Sequence, residues 1–401
     1  MSNDVIYLSS GQSGAPAIGG ASGSLISWLV TILTTGYGFV QLESVVVSDG
    51  VATATRSAGH GFTNITSKSA IVLGPVVAIS GATPAGLNGN KRITVLSTTT
   101  FTFEAPGVSD GVATGTIIAN MPPLGWELVW NTGTKAVFRN TAGTGMYLRF
   151  TDDGTFDSGK VARVTGFESM TDVDTGAGQF PPPASGQRYI PKYDSSTAMA
   201  WRVIGDAKRF WIFNAYYSNR GYWPGFFGDL ISFVPGDAYH FILAGDTAPT
   251  SGTAPDSYSS PWYKTFSSST DQYALWAPRG WNAVPGAFSY TMGCATLAGH
   301  AWGGYESAMP TLINPPDGRA WWTYPLYAVR GADPRHIRGI FPGAWRPDMY
   351  ITSDTIDIRD QMLFASIENG GGAMPLVFPI CVSFGSTASM YGGVDVLGPW
   401  E

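Results

Sequence analysis

The most apolar early stretch, Leu25 to Leu33, spaces Leu25, Ile26, Trp28, Leu29, Ile32 and Leu33 around more than one face of a helical turn. Ser22 or Ser24 supplies an N-cap and Gly36 a stop, which predicts one short buried helix. From Leu42 the pattern changes to β-branched runs divided by turn residues: Asp49-Gly50, Pro84 to Gly86, Asn88-Gly89, then Ile93 to Val95, Thr98 to Phe103 and Asp110-Gly111. Alternating runs separated by such dipeptides predict hairpins and meanders. The heptapeptide Val47-Ser48-Asp49-Gly50-Val51-Ala52-Thr53 recurs unchanged at Val108 to Thr114. Two copies are too few for a solenoid and read as the opening and closing hairpins of one small β-module. A second strand-rich block follows Met121-Pro122-Pro123, with Trp126 to Trp130, Ala136 to Arg139, Met146 to Phe150 and Val161 to Val164. Gly176, Gly178, Pro181, Pro182, Pro183, Gly186 and Pro191 then mark a stiff connection. Strand-like patterns resume at Ala200 to Val203 and Arg209 to Tyr216, after which Gly, Pro, Ser and Trp-rich loops are expected to dominate.

The chain has 401 residues, enough for two to three domains, with 44% hydrophobic residues, 51 glycines and 27 prolines. That content excludes intrinsic disorder and long helical bundles. Only 13% of residues are charged, with a net charge of −6, where an ordinary soluble protein has about 25% charged residues. No basic run provides the footprint of a nucleic-acid binder. Leu25 to Leu33 contains Ser27 and Thr31 and falls short of the ~18 to 20 apolar residues that span a bilayer. The N-terminus lacks the basic and continuously apolar regions of a secretory signal.

Chemical motifs are sparse. Cys294 and Cys381 form neither a disulfide framework nor a zinc pattern. Gly154 to Lys160 has the spacing of a phosphate-binding loop, but Val161 stands where a magnesium-holding Ser or Thr is needed and opens a strand-like run, so a hairpin turn is predicted. His60, His240, His300 and His336 have no metal-ligand spacing, and no GxSxG elbow occurs. Asp152, Asp153 and Asp157 are expected in one solvated turn. Asp172 with Asp174, and Asp229 with Asp237, are the carboxylate pairs available for acid-base work on a glycosidic bond. No catalytic residue, cofactor or metal is assigned, and the chain is expected not to be an enzyme.

The aromatic residues are denser than a core of ordinary composition needs. Trp201, Phe210, Trp211, Phe213, Tyr216, Tyr217, Tyr222, Trp223, Phe226 and Phe227 crowd one segment, and Trp321, Trp322, Tyr324 and Tyr327 a second. Amphipathic rings among Gly, Asn and Pro suit protein interfaces or stacking on sugars, and a charge-poor chain favours permanent assembly. Trp211, Tyr216, Tyr217, Tyr222, Trp223, Phe226, Trp321, Trp322, Tyr324 and Tyr327 are the interface candidates.

Gly59-His60-Gly61-Phe62, Ile79 to Pro84, Leu87-Asn88-Gly89 and Thr99 to Phe103 resemble a small β-module of virion proteins of tailed bacteriophages. Tyr7 to Pro16, Gly125-Trp126-Glu127, Ala162-Arg163-Val164, Gly166 to Asp174, Phe227-Gly228-Asp229, Pro235-Gly236-Asp237, Arg338 to Gly343 and Gly398-Pro399-Trp400 resemble the remainder of an uncharacterised family of phage structural proteins. These are turn and packing residues. The resemblance implies a virion part, in the tail or baseplate, made in the host cytoplasm.

The expected architecture is α+β and β-rich. Residues 1–41 plus 120–175 form a discontinuous N-terminal α+β domain, 42–119 an inserted β-module, 176–187 a Pro/Gly linker and 188–401 a loop-rich, β-containing C-terminal assembly domain. Expected partners are other virion subunits, including copies of this chain, with host surface glycan as a further candidate. No nucleic acid and no membrane span are expected. The alternative functions are a carbohydrate- or receptor-binding module at the tail tip, or a head decoration protein.

Overall fold

A computed structural model describes residues 4–65, 73–156, 159–192, 199–214, 223–247, 275–280, 282–293, 323–329, 337–347, 377–384 and 388–400. Among these residues one α-helix of 7 residues stands against antiparallel sheets of 12, 8, 6 and 2 strands. The chain is therefore β-rich, and among the described residues its α part is a single buried element rather than a layer.

The helix, α1, spans Ser24–Val30 and buries Leu25, Ile26, Trp28 and Leu29. Its N-cap is Gly23, at φ 77°, with no side-chain cap of its own. Instead Asp152 reaches in from the end of a strand and accepts the Leu25 N–H at 2.9 Å, while the Ser22 hydroxyl donates to the Asp152 carbonyl at 2.8 Å. Past Val30 the helix widens into a π turn, Thr31–Thr35, and stops at Gly36 as the sequence predicts. At φ 76° a Cβ on Gly36 would lie 2.4 Å from the Met121 carbonyl oxygen, so only glycine fits this stop.

The eight-stranded sheet runs in the order Tyr37–Gln41, Ile118–Met121, Val76–Ser80, Gly89–Val95, Thr100–Glu104, Val51–Thr55, Ser44–Ser48 and Gly111–Val112. Its first strand in sequence, Tyr37–Gln41, lies outside 42–119, and its last, Ile118–Met121, runs past that boundary. Gly89–Val95 changes partner midway: Gly89 to Arg92 pair with Val76 to Ile79, and Ile93 to Val95 with Phe101 to Phe103. That switch turns a corner. Thr83 and Thr114 exchange backbone hydrogen bonds at 2.8 and 2.9 Å, drawing the far edge back and curling the sheet into a half-barrel. The two heptapeptides meet there, Val47 pairing with Gly111, and Val46, just before the first copy, pairs with Val112. Identical sequences nevertheless fold differently. Asp49 and Gly50, at φ 52° and 75°, make the doubly left-handed turn of a two-residue hairpin. The second copy makes no such hairpin: Gly111 is at φ 143° and the Asp110 carboxylate accepts the Asp49 N–H at 3.0 Å. The second copy thus props the turn formed by the first.

The six-stranded sheet is ordered Glu127–Asn131, Lys135–Arg139, Tyr147–Thr151, Val161–Phe167, Arg188–Pro191 and Asp246–Thr247. The largest sheet begins with Ile6–Ser9 on Trp201–Gly205 and continues through Arg209–Asn214, Trp223–Asp229, Phe241–Ala244, Leu275–Ala277 and Phe288–Gly293. Thr323–Val329, Ile337–Pro347, Ala388–Asp395 and Val377–Phe384 complete it, with Ile231–Ser232 pairing beside Ile337–Pro347. The C-terminal half therefore holds more strand than expected. Pro224, Gly225 and Gly228 lie inside Trp223–Asp229, and Gly339, Pro342 and Gly343 inside Ile337–Pro347, where the sequence reads as loop.

Strand pairing also crosses the expected boundaries. Ile6–Ser9 belongs to the large sheet, and Arg188–Pro191 and Asp246–Thr247 extend the six-stranded sheet. Within the stretch expected as a linker, Gly176–Ala177 pairs with Ser169–Met170, and Phe180 is fully buried and bridges Gly166. The large sheet carries apolar residues on both faces. Val203, Phe210, Ile212, Phe227 and Leu243 join one core with α1 and the half-barrel, while Ile204, Trp211, Phe213, Phe226 and Ile242 join a second core on the other side.

Candidate functional site

That two-sided burial accounts for the first aromatic cluster. Trp211, Trp223 and Phe226, expected at an interface, are 1%, 5% and 0% exposed. Trp211 donates its indole N–H to the Pro342 carbonyl at 3.1 Å and packs on Phe226 with ring centroids 4.8 Å apart. These three rings anchor the chain's own core, because successive residues of a strand point to opposite faces and here both faces are covered. Tyr324 and Tyr327 fall in the strand Thr323–Val329, opposite Arg346 and Ile340. Tyr216, Tyr217, Tyr222, Trp321 and Trp322 lie outside the described residues.

The carboxylates singled out in the sequence are structural. Asp152 is not in a solvated turn: it is buried with Lys192, each side chain 0% exposed, and forms a direct ion pair at 2.5 Å while holding the start of α1. Lys192 also donates to the Ala21 carbonyl at 2.7 Å, so the buried ammonium has more than one acceptor. Asp237 takes a two-pronged contact from Arg338, Nε to Oδ2 and Nη2 to Oδ1, both at 2.8 Å. Burial alone would raise the Asp237 carboxyl, but Arg338, the Tyr239 N–H and the Ser232 hydroxyl together hold it below the ordinary value. Asp229 accepts from the Thr144 N–H at 2.8 Å, the Thr144 hydroxyl at 2.7 Å and the Asn140 amide at 3.0 Å. Its burial prevails over those bonds and over His240, and its carboxyl is pushed up. Both members of this pair are buried and filled with donors from the chain itself.

Asp172 caps a turn, accepting from the Asp174 and Thr175 N–H groups at 2.8 Å each. His60 is buried and accepts the Phe62 N–H on Nδ1 at 3.0 Å, which leaves Nε2 to donate to the Ser97 carbonyl at 2.9 Å. Burial lowers its basicity and keeps the ring neutral. His300, His336 and Cys294 lie outside the described residues. Gly154 to Lys160 joins two antiparallel strands, Tyr147–Thr151 and Val161–Phe167, and so is a hairpin connection. Among the described residues no group of three or more His, Cys, Asp or Glu converges, and no helix is long and apolar enough to cross a membrane.

One open feature gathers charge. The outward face of the six-stranded sheet and the stretch from Asp174 to Gln187 that crosses it enclose a cavity of about 410 Å³. Lys135, Arg149 and Arg163 come from three consecutive strands. Register sets them together: Lys135 lies opposite Thr151, Thr151 opposite Arg163, and Arg149 opposite Thr165. Arg149 is therefore diagonal to both other cations, at roughly 7–8 Å between positions. Asp174 answers them in part, meeting Lys135 Nζ at 2.6 Å and Arg149 Nη1 at 3.8 Å. Burial and the nearby Arg163 charge lower the Arg149 guanidinium against the pull of Asp174. Sequence reasoning missed this site. The outward alternation of each strand was readable, but nothing in the sequence gave the register that brings three cations into one place.

The half-barrel exposes apolar residues. Phe39, Val46, Leu96 and Val112 are 60, 41, 61 and 68% exposed, and Val46 and Val112 are cross-strand partners at the sheet edge. Neither a family model nor a curated protein sequence matches the chain.

Proposed function

We propose that the chain is a non-catalytic structural component of a tailed-phage virion, in its tail or baseplate, that assembles through permanent contacts with other subunits. The observation that carries this reading is where the charge goes. Charged residues are only 13% of the chain, and Asp152, Arg188, Lys192, Arg209, Asp229, Asp237, Arg338 and Asp395 are buried inside it. An outer surface stripped of charge in this way suits a subunit whose faces are covered by neighbours. In this reading the inserted module 42–119 presents one such face, through the exposed Val46 and Val112 pair beside the edge strand Gly111–Val112. An edge strand offers unpaired backbone groups to a neighbour, and flanking valines add apolar area. The resemblance of the turn motifs to phage structural proteins supports the virion setting.

The test is substitution of both valines, Val46→Asp with Val112→Asp, in the phage genome. The chain is expected to fold, by circular dichroism, and to be absent from purified particles, since each buried valine contributes ~1.5–3 kcal/mol at an interface. Normal incorporation of the double variant refutes assembly through this edge. Particles that incorporate the variant but fail to attach to cells favour the receptor-binding alternative.

A further inference from the structure

The arginines of this protein fall into two kinds. A guanidinium has five N–H donors. Arg338 gives every one to the chain: two to Asp237 at 2.8 Å each, and one each to the carbonyls of Tyr239 at 2.6 Å and Arg279 at 2.7 Å and to the Tyr290 hydroxyl at 3.2 Å. Arg149, by contrast, gives only Nη1, to the Asp174 carbonyl at 3.1 Å, and Arg163 only Nη2, to Asp153 at 3.1 Å. The Nε of Arg163 is buried without an acceptor among the described residues. Side chains of Lys135, Arg149 and Arg163 are 31, 21 and 27% exposed, so these cations are held at the cavity rather than spread into solvent. Three cations, answered by Asp174 in the lining and by Asp153 on Arg163, leave an excess of one positive charge at the cavity in a protein whose net charge is −6.

We propose that this cavity binds an acidic saccharide, a sugar bearing a carboxylate or phosphate group, with the oxyanion held by Arg149, Arg163 and Lys135. Forked guanidinium donors match the paired oxygens of either group. The rest of the lining matches the sugar: Thr151 and Thr165 offer hydroxyls and Gln179 and Gln187 offer amides, each able to donate and accept. A volume of about 410 Å³ lies within the ~300–1,000 Å³ of small-molecule sites and exceeds what a bare oxyanion fills. No lining residue is aromatic, so the cavity has no platform for stacking nucleobases, and its affinity must come from charge and hydrogen bonds. Asp174 occupies part of the cationic surface and competes with the ligand's own oxyanion. This inference stands on the cavity and is independent of the assembly reading.

Isothermal titration calorimetry on the full chain tests it with five probes: a hexuronate oligosaccharide, a hexose phosphate, the matched neutral oligosaccharide, inorganic phosphate and a single-stranded oligonucleotide. Binding is expected for the hexuronate or the hexose phosphate, whichever is tighter identifying the oxyanion, and not for the neutral sugar. Arg149→Gln and Arg163→Gln should each weaken it roughly 10- to 100-fold, the worth of a charged hydrogen bond. Asp174→Asn should tighten it, an opposite sign that general loss of structure cannot produce. Thermal melts matched to the parent establish that each variant is folded; should either arginine variant unfold, the sign of the Asp174→Asn effect decides. No heat from either acidic sugar, affinity unchanged in the folded arginine variants, weaker binding in Asp174→Asn, equal affinity for inorganic phosphate, or preference for the oligonucleotide each overturns the proposal.

Discussion

Replacing Arg338 by Met probes whether the buried charges are structural. The side chains of Arg338 and Asp237 are 0% and 1% exposed, and their contact ties the strand Ile337–Pro347 to the loop between Ile231–Ser232 and Phe241–Ala244. Methionine fills most of the arginine stem but leaves Asp237 facing only the Ser232 hydroxyl at 3.1 Å and the Tyr239 N–H at 3.1 Å. It also strands the Tyr239 and Arg279 carbonyls. Removing one partner of a buried pair costs about 3–5 kcal/mol, most of it the uncompensated charge left behind. Arg338→Met should therefore lower the urea midpoint steeply, read by tryptophan fluorescence and far-UV circular dichroism. Arg338→Met combined with Asp237→Leu should recover much of the loss, because no lone charge remains. A single variant within about 1 kcal/mol of the parent, or a double variant no better than the single, refutes the argument, since surface ion pairs contribute only that much.

Two further outcomes follow from particular groups. Burial raises the carboxyls of Asp229 and Asp395, the latter against the Leu397 and Gly398 N–H groups and Arg92, so over the window above the ordinary 3.8 the folded chain holds protons that the unfolded chain has lost. Stability on account of these two acids is therefore greatest at low pH and falls as pH rises through their folded values, and Asp395→Asn should flatten that part of a melting-temperature profile; an unchanged profile contradicts it. Gly166→Ala places a Cβ 2.2 Å from the Phe180 ring, and should cost ~1–3 kcal/mol by overpacking and free the crossing stretch to proteolysis. Resistance to proteinase K equal to the parent's would show that the ring yields.

The helix and its glycine stop were legible because the signals are local: seven apolar residues in Leu25 to Leu33 and Gly36 after them. The cap was not, since Asp152 lies far along the chain and is itself held by Lys192, farther still. Half-barrel strands were legible from alternation, and Asp49-Gly50 from its turn chemistry. The second heptapeptide shows the limit of that reasoning: the same residues, paired at an edge, take a different backbone. In the large sheet Trp223-Pro224-Gly225 reads as loop by composition, yet antiparallel pairing to Ile212, Phe213 and Asn214 makes it strand. Reading aromatic density as interface assumed one buried face per strand. Two buried faces consume Trp211, Trp223 and Phe226 instead. The cationic cavity depends on inter-strand register, which hydrophobic pattern alone does not number across three strands.

The charges thus divide by salt response, and that division ties fold to function. Lys192 with Asp152 and Arg338 with Asp237 are enclosed, so added salt cannot reach them and stability should change little with ionic strength. Lys135, Arg149 and Arg163 border an open cavity and retain unused donors, so whatever anion they hold competes with salt over a Debye length of ~8–10 Å. Apolar contacts at the Val46 and Val112 edge, if they join subunits, should strengthen or hold as salt rises. One salt titration on the full chain therefore separates three roles: melting that stays level, saccharide affinity that falls, and self-association that does not. A melting temperature that drops with saccharide affinity as salt rises would mean the cavity cations stabilise the fold through Asp174, and Asp174→Asn would then destabilise the chain rather than open it to ligand.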